Sequence, residues 1–193
     1  MIAAVGYRSL GSSSSTAAPF TDVVRTAQPD APTWARSEHP RALGEDDGAV
    51  PAGTTVFDDA IPGVANLDPA LLGALRRAAT DAAVDGVELV VDSGWRSPAY
   101  QEHLLDEAVS KYGSEAEAAQ WVATPDTSAH VSGHAVDIGP PAGAAWLSEH
   151  GDRYGLCRIY GNEPWHYELR PEALDQGCPP TYADPTHDPR MRP

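Results

Sequence analysis

The chain has 193 residues, with 28 acidic against 13 basic side chains and a formal charge of −15. That length suits one domain with a hydrophobic core, and the charge argues against a nucleic-acid binder or a protein that docks on anionic lipid, since both need a basic face. The 2 cysteines are too few for a four-thiolate zinc site or a multi-bridge scaffold, and no apolar run reaches the ~18 residues of a membrane helix.

In chain order, Met1 to Gly6 is apolar but too short for the core of an export signal, and no basic residue precedes it. An export signal is therefore expected to be absent from this chain or already removed. Residues 1–52 read as a flexible Ser/Ala/Pro-rich tail: Ser12 to Ser15 form a serine run, and Pro19, Pro29, Pro32 and Pro40 break any periodicity. The remainder, 53–193, reads as one domain whose irregular C-terminal end begins at Cys178.

Asp68-Pro69 is an N-cap followed by a first helical residue, and Leu71, Leu72, Leu75 and Ala78 recur at helical spacing. Val87, Leu89 and Val91 alternate with Glu88, Val90 and Asp92, a short strand that ends at Ser93-Gly94. Ser97-Pro98 opens a second helix that Gly113 stops, and Ser114 with Glu117 forms a capping box for a third running to Trp121-Val122. His134 to Ile138 is a strand, and Ala144 to Tyr154 a helix closed by Gly155. Leu156 to Tyr160 and Trp165 to Leu169 are strands joined as a hairpin through Gly161-Asn162-Glu163-Pro164. The predicted class is α+β: a single small domain with a few-stranded, mainly antiparallel sheet and helices packed on it.

Two histidine-bearing segments carry the chemistry, Ser128-Ala129-His130-Val131-Ser132-Gly133-His134-Ala135-Val136-Asp137 and Glu163-Pro164-Trp165-His166. A catalytic zinc takes three imidazole or carboxylate ligands from the protein plus a water; His130, Asp137 and His166 supply such a set. His130 and Asp137 are an odd number of residues apart and would face opposite ways on one strand, so Ser132-Gly133 is read as a turn that resets direction. His134 is the alternative ligand, ranked lower because alternation puts it on the face opposite Asp137. Pro164 forces Glu163 into extended or turn backbone, which places its carboxylate on a loop beside His166, where a general base belongs.

A third segment, Ser93-Gly94-Trp95-Arg96-Ser97-Pro98-Ala99-Tyr100-Gln101, precedes these two. In that order the three resemble the motifs of the zinc D-alanyl-D-alanine carboxypeptidase and dipeptidase family of the VanY type, whose fold is shared with hedgehog signalling domains. The resemblance implies one zinc ion on His130, Asp137 and His166, Glu163 as catalytic base, and Arg96 as a substrate-binding and transition-state-stabilising cation. It also implies Gln101 and Ser128 as pocket residues. Arg96 makes independent sense, because a guanidinium fork suits a peptide carboxylate or a developing oxyanion.

The activity so implied is removal of the C-terminal D-Ala from peptidoglycan stem peptides. The rivals are a D-Ala-D-Ala dipeptidase, an L-Ala-D-Glu endopeptidase and a non-catalytic cell-wall-binding module. An extracytoplasmic setting follows from such a substrate, and with it a disulfide between Cys157 and Cys178. The partner is a D-Ala-terminated peptide, with no membrane insertion, and a monomer is expected. The excess acidity should lie away from the pocket, on the helices and the tails.

Overall fold

The computed structural model of the chain describes residues 42–191. Four strands, β1 (Val90–Ser93), β2 (Ala135–Gly139), β3 (Leu156–Arg158) and β4 (His166–Leu169), form one sheet in the order β1-β2-β4-β3, every pair antiparallel. The helices are α1 (Pro62–Ala65), α2 (Pro69–Val84), α3 (Pro98–Tyr112), α4 (Glu115–Ala118), α5 (Pro141–His150) and α6 (Ala173–Gln176). The predicted α+β class holds. Among the described residues no helix is long and apolar enough to cross a membrane.

The helix boundaries follow from capping chemistry. Asp68 Oδ1 accepts the amides of Ala70 and Leu71 at the start of α2, and Ser97 Oγ accepts that of Tyr100 at the start of α3. Gly113, in the left-handed region, ends α3. Leu71, Ala74, Leu75, Ala78 and Ala82 make the buried stripe of α2, the spacing of an amphipathic helix. They pack with Val91, Val136, Ile138, Leu147, Leu156 and Tyr167 into the main core.

The strands predicted over His134 to Ile138, Leu156 to Tyr160 and Trp165 to Leu169 shift by one or two residues at an end, and three other elements differ more in extent. The strand expected from Val87 begins at Val90, because the amide of Val87 bonds back to Ala82 O at the end of α2. The helix expected over Ala144 to Tyr154 starts earlier, at Pro141, and tightens into a 3-10 turn over Gly151–Tyr154 before Gly155. The third helix is a single turn: Ser114 Oγ caps Glu117 N, but regular structure stops at Ala118.

Most of the expected tail, 1–41, lies outside the described residues. Residues 42–52, expected to belong to it, pack on the domain instead. Asp47 O accepts the Ser97 amide at 2.8 Å. At Gly48, which has φ of 104°, an added Cβ would fall 2.2 Å from Trp95 O, so only glycine lets these backbones meet. At the other end, the segment beyond Cys178 is irregular, yet it is fastened by a Cys157–Cys178 disulfide with a Cα–Cα distance of 5.5 Å.

Register gives the sheet two unlike faces. Val136 pairs with Tyr167, and both point into the apolar core. Asp137 pairs with His166 and Ala135 with Glu168, while Ser93 pairs with Asp137 across β1. Directly opposed residues share a face, so Ser93, Asp137 and His166 form a row across three strands on the face away from the main core.

Candidate active site

That row is the floor of the site, and His130 is brought to it by a turn. Gly133, with φ of 74°, reverses the chain three residues later, and a Cβ there would lie 2.6 Å from Asn66 O. The turn thus does what the odd spacing from His130 to Asp137 required. His130 is buried, and its Nδ1–H donates to Gly94 O at 2.8 Å. A carbonyl can only accept, which leaves Nε2 with its lone pair directed inward. His166 is oriented in the opposite sense: its Nε2–H donates to Glu168 Oε1 at 3.4 Å, leaving Nδ1 inward.

Three acceptors therefore converge. His130 Nε2 lies 3.3 Å from His166 Nδ1 and 3.4 Å from Asp137 Oδ1, and His166 Nδ1 lies 3.2 Å from Asp137 Oδ1. Ligands at the ~2.0–2.1 Å of zinc–nitrogen and zinc–oxygen bonds, arranged tetrahedrally, stand about 3.3 Å apart. The triangle has that edge, and the residues fit the ion. Two lone pairs and a carboxylate packed together in a buried place also call for a cation. Without a metal the set would take a proton instead: although burial opposes charging the ring, the hydrogen bonds to Asp137 and Glu168 raise His166 to about 9. Burial and the Arg96 guanidinium lower His130. Burial pushes Asp137 up, but His130, His166 and Arg96 together hold it well below the usual carboxylate range.

Arg96 reaches the floor from the β1–α3 connection. Its Nη2 donates to Asp137 Oδ2 at 2.9 Å, Nε to Ser93 Oγ at 2.7 Å and Nη1 to Gln101 Oε1 at 3.2 Å. Three of the five N–H donors are thereby used, and Nη1 and Nη2 each retain one. Gln101, 1% exposed, also donates to Ala123 O at 2.8 Å, so its carboxamide braces the guanidinium.

Glu163 hangs from the β3–β4 loop beside the triangle, its Oε2 3.7 Å from His166 Nδ1. Its Oε1 is buried with no hydrogen-bond partner. Burial raises this carboxyl to about 7, with the neighbouring His166 pulling the other way. Arg96, Gln101, Ser128, His130, Glu163 and His166 line one cavity of about 40 Å³. At Val122, Ala123, Pro185 and Met191 that slot meets a groove of about 900 Å³, whose walls carry Glu102, Asp106, Glu115 and Asp126. Part of the acidity thus sits next to the pocket rather than away from it. His134 is exposed and bonded to Ser132 Oγ, outside the triangle.

Two supports had not been singled out in the sequence. One is the Gly94 carbonyl. The other is Glu168, which shares the His166 face because the two are two apart on a strand; that parity, applied forward from His166, was the signal for it.

The chain matches the family model "VanY: D-alanyl-D-alanine carboxypeptidase" over residues 65–172, which includes all three motifs. A D-alanyl-D-alanine carboxypeptidase of Enterococcus faecalis (strain ATCC 700802 / V583) is 37% identical, the match covering 45% of this chain and 41% of that protein. The chain thus spans about two fifths of that curated relative. Among solved structures, one resembles it with a TM-score of 0.50 and 33% identity, covering 53% of this chain and 72% of the other. That protein is a vancomycin-resistance D,D-pentapeptidase, VanY from a VanB-type cassette, solved as a glutamate-to-alanine variant in complex with Zn(II). VanYB in complex with D-alanine-D-alanine gives a TM-score of 0.53 and 32% identity, covering 57% of this chain and 78% of the other. With a match running over more than half its length, this chain belongs to the VanY D-alanyl-D-alanine carboxypeptidase family.

Proposed function

We propose that this chain is a zinc-dependent D-alanyl-D-alanine carboxypeptidase that removes the C-terminal D-Ala of peptidoglycan stem peptides. The observation that carries the reading is the triangle of inward-facing acceptors on His130, Asp137 and His166, with the Glu163 carboxyl beside it, its Oε1 buried without a hydrogen-bond partner. A zinc ion held by those three residues supplies a Lewis acid for the scissile carbonyl and a water of lowered pKa. Glu163 takes the proton of the attacking water as the new C–O bond forms. When the C–N bond breaks, it delivers that proton to the departing amine of D-Ala. The free N–H groups of Arg96 stabilise negative charge on the substrate, and Gln101 keeps the guanidinium aimed. Ser128 contributes to the wall.

The adjoining groove of about 900 Å³ supports a longer peptide over a closed pocket for free dipeptide, and so favours carboxypeptidase over dipeptidase. The Cys157–Cys178 disulfide supports action outside the cytoplasmic membrane, where peptidoglycan is exposed and disulfides persist. The test pairs two variants: Glu163→Ala keeps zinc and loses turnover, whereas His166→Ala loses both. Full turnover in Glu163→Ala would end this mechanism, and full turnover in His166→Ala the metal assignment.

A further inference from the structure

The segment after Cys178 runs back along the loop that bears Glu163. Tyr182 N donates to Ile159 O at 2.9 Å, Gly161 N to Tyr182 O at 2.8 Å and Asn162 N to Ala183 O at 3.2 Å. Asp188, fully buried, accepts from Tyr160 OH at 3.1 Å and from Arg190 Nε at 3.0 Å. Arg190 then reaches Glu168, with Nη1 2.7 Å from Oε2 and Nη2 3.2 Å from Oε1. Glu168 is 1% exposed and is the group that receives His166 Nε2–H.

Glu168 has a second cation, Arg170, but the two guanidiniums are not equivalent. Arg170 Nη2 approaches Oε2 at 2.8 Å. Arg190 spans both oxygens and, among the described residues, is the cation on Oε1, the oxygen facing His166. A bidentate fork fixes the plane of a carboxylate where a single contact does not. The carboxylate behind a metal-binding histidine fixes which ring nitrogen stays free and how strongly it donates.

We propose that this C-terminal strap is part of the metal site, with Arg190 a positioning residue that acts through Glu168 on His166. The inference rests on the reading of His166 as a zinc ligand. The disulfide and the strap's backbone bonds hold Arg190 in reach; Asp188, itself bonded to Tyr160 OH, accepts from Arg190 Nε. The ring of Tyr160, centred 5.1 Å from that of His166, closes the loop of contacts back to the ligand.

The test compares the parent with Arg190→Met, Arg190→Lys and Arg170→Met, measuring zinc affinity by chelator competition and the absorption spectrum of bound Co(II). Arg190→Met is expected to bind zinc 10- to 100-fold more weakly, the usual effect of losing such an outer partner, and to shift the Co(II) spectrum. Arg190→Lys should fall between it and the parent, and Arg170→Met should lose less than Arg190→Met. Zinc affinity within twofold of the parent in Arg190→Met overturns the proposal. So does weakened affinity with a parent-like Co(II) spectrum, which would mark a merely structural role. Should Arg190→Met fail to fold, Arg190→Lys decides, parent-like affinity there being the overturning result. If the parent itself binds no zinc, or His166→Ala binds it equally well, the metal reading fails first and takes this inference with it.

Discussion

Replacing Glu163 with glutamine should stabilise the metal-free protein while abolishing its chemistry. Glu163 is 6% exposed, and its Oε1 meets no donor. Burial lifts its carboxyl from 4.5 to about 7. The folded protein therefore binds this proton more tightly than the unfolded chain, so stability falls as pH rises through that interval. The cost is absent below the unfolded value and complete above about 7. At roughly 1.4 kcal/mol per pH unit, the interval corresponds to about 3 kcal/mol as an upper bound. Glutamine has nearly the same shape and no charge to desolvate. Its advantage over the parent should grow across the same window, to about 1–3 kcal/mol at pH 8 and almost nothing at pH 4. Urea denaturation of chelator-treated parent and Glu163→Gln across that range measures it. The zinc-loaded variant should meanwhile lose about 10²- to 10⁴-fold in turnover, the usual contribution of a general base. A stability difference that does not change with pH, or a variant less stable than the parent at pH 8, would refute the argument that burial holds Glu163 as a base of raised pKa.

Arg96→Lys cannot reach Ser93, Gln101 and Asp137 at once; at saturating zinc we expect kcat/KM to fall by about 10²- to 10³-fold, read from initial rates. Cys157 and Cys178 are 21 residues apart, so replacing both with serine should cost about 3 kcal/mol through the freed loop and lower Tm by roughly 10 °C in calorimetry. Gly133→Ala has to place a Cβ in left-handed backbone, 2.6 Å from Asn66 O. A loss of about 1–3 kcal/mol is expected, together with weaker zinc binding, because the same turn carries His130.

The sequence was informative wherever the relevant chemistry is local. The caps Asp68, Ser97 and Ser114 and the stop Gly113 act over a few residues, and each marks a real boundary. The candidate site was legible for a related reason: its proposed parts sit in three short segments, and the parity of His130, Asp137, Glu163 and His166 already called for a turn and a loop. Lengths were less readable. Val87 was claimed by the end of α2, and the helix from Pro141 tightens into a 3-10 turn at Gly151, where Leu156 O comes so close that only glycine fits. Least visible were contacts between distant segments of low periodicity. The proline-rich end beyond Cys178 carries no pattern announcing that Arg190 will meet Glu168, and nothing in Gly44 to Asp47 announces a seat against Ser97. Such contacts depend on where the backbone has already been placed.

The central claim is that one zinc ion on His130, Asp137 and His166 makes this chain a D-alanyl-D-alanine carboxypeptidase. The direct measurement is D-alanine release from a stem pentapeptide ending in D-Ala-D-Ala, by protein stripped with a chelator and then titrated with zinc. The expected result is no release from stripped protein and recovery that saturates at one zinc per chain. Undiminished release from the metal-free protein, or none at one equivalent of zinc, would contradict the account.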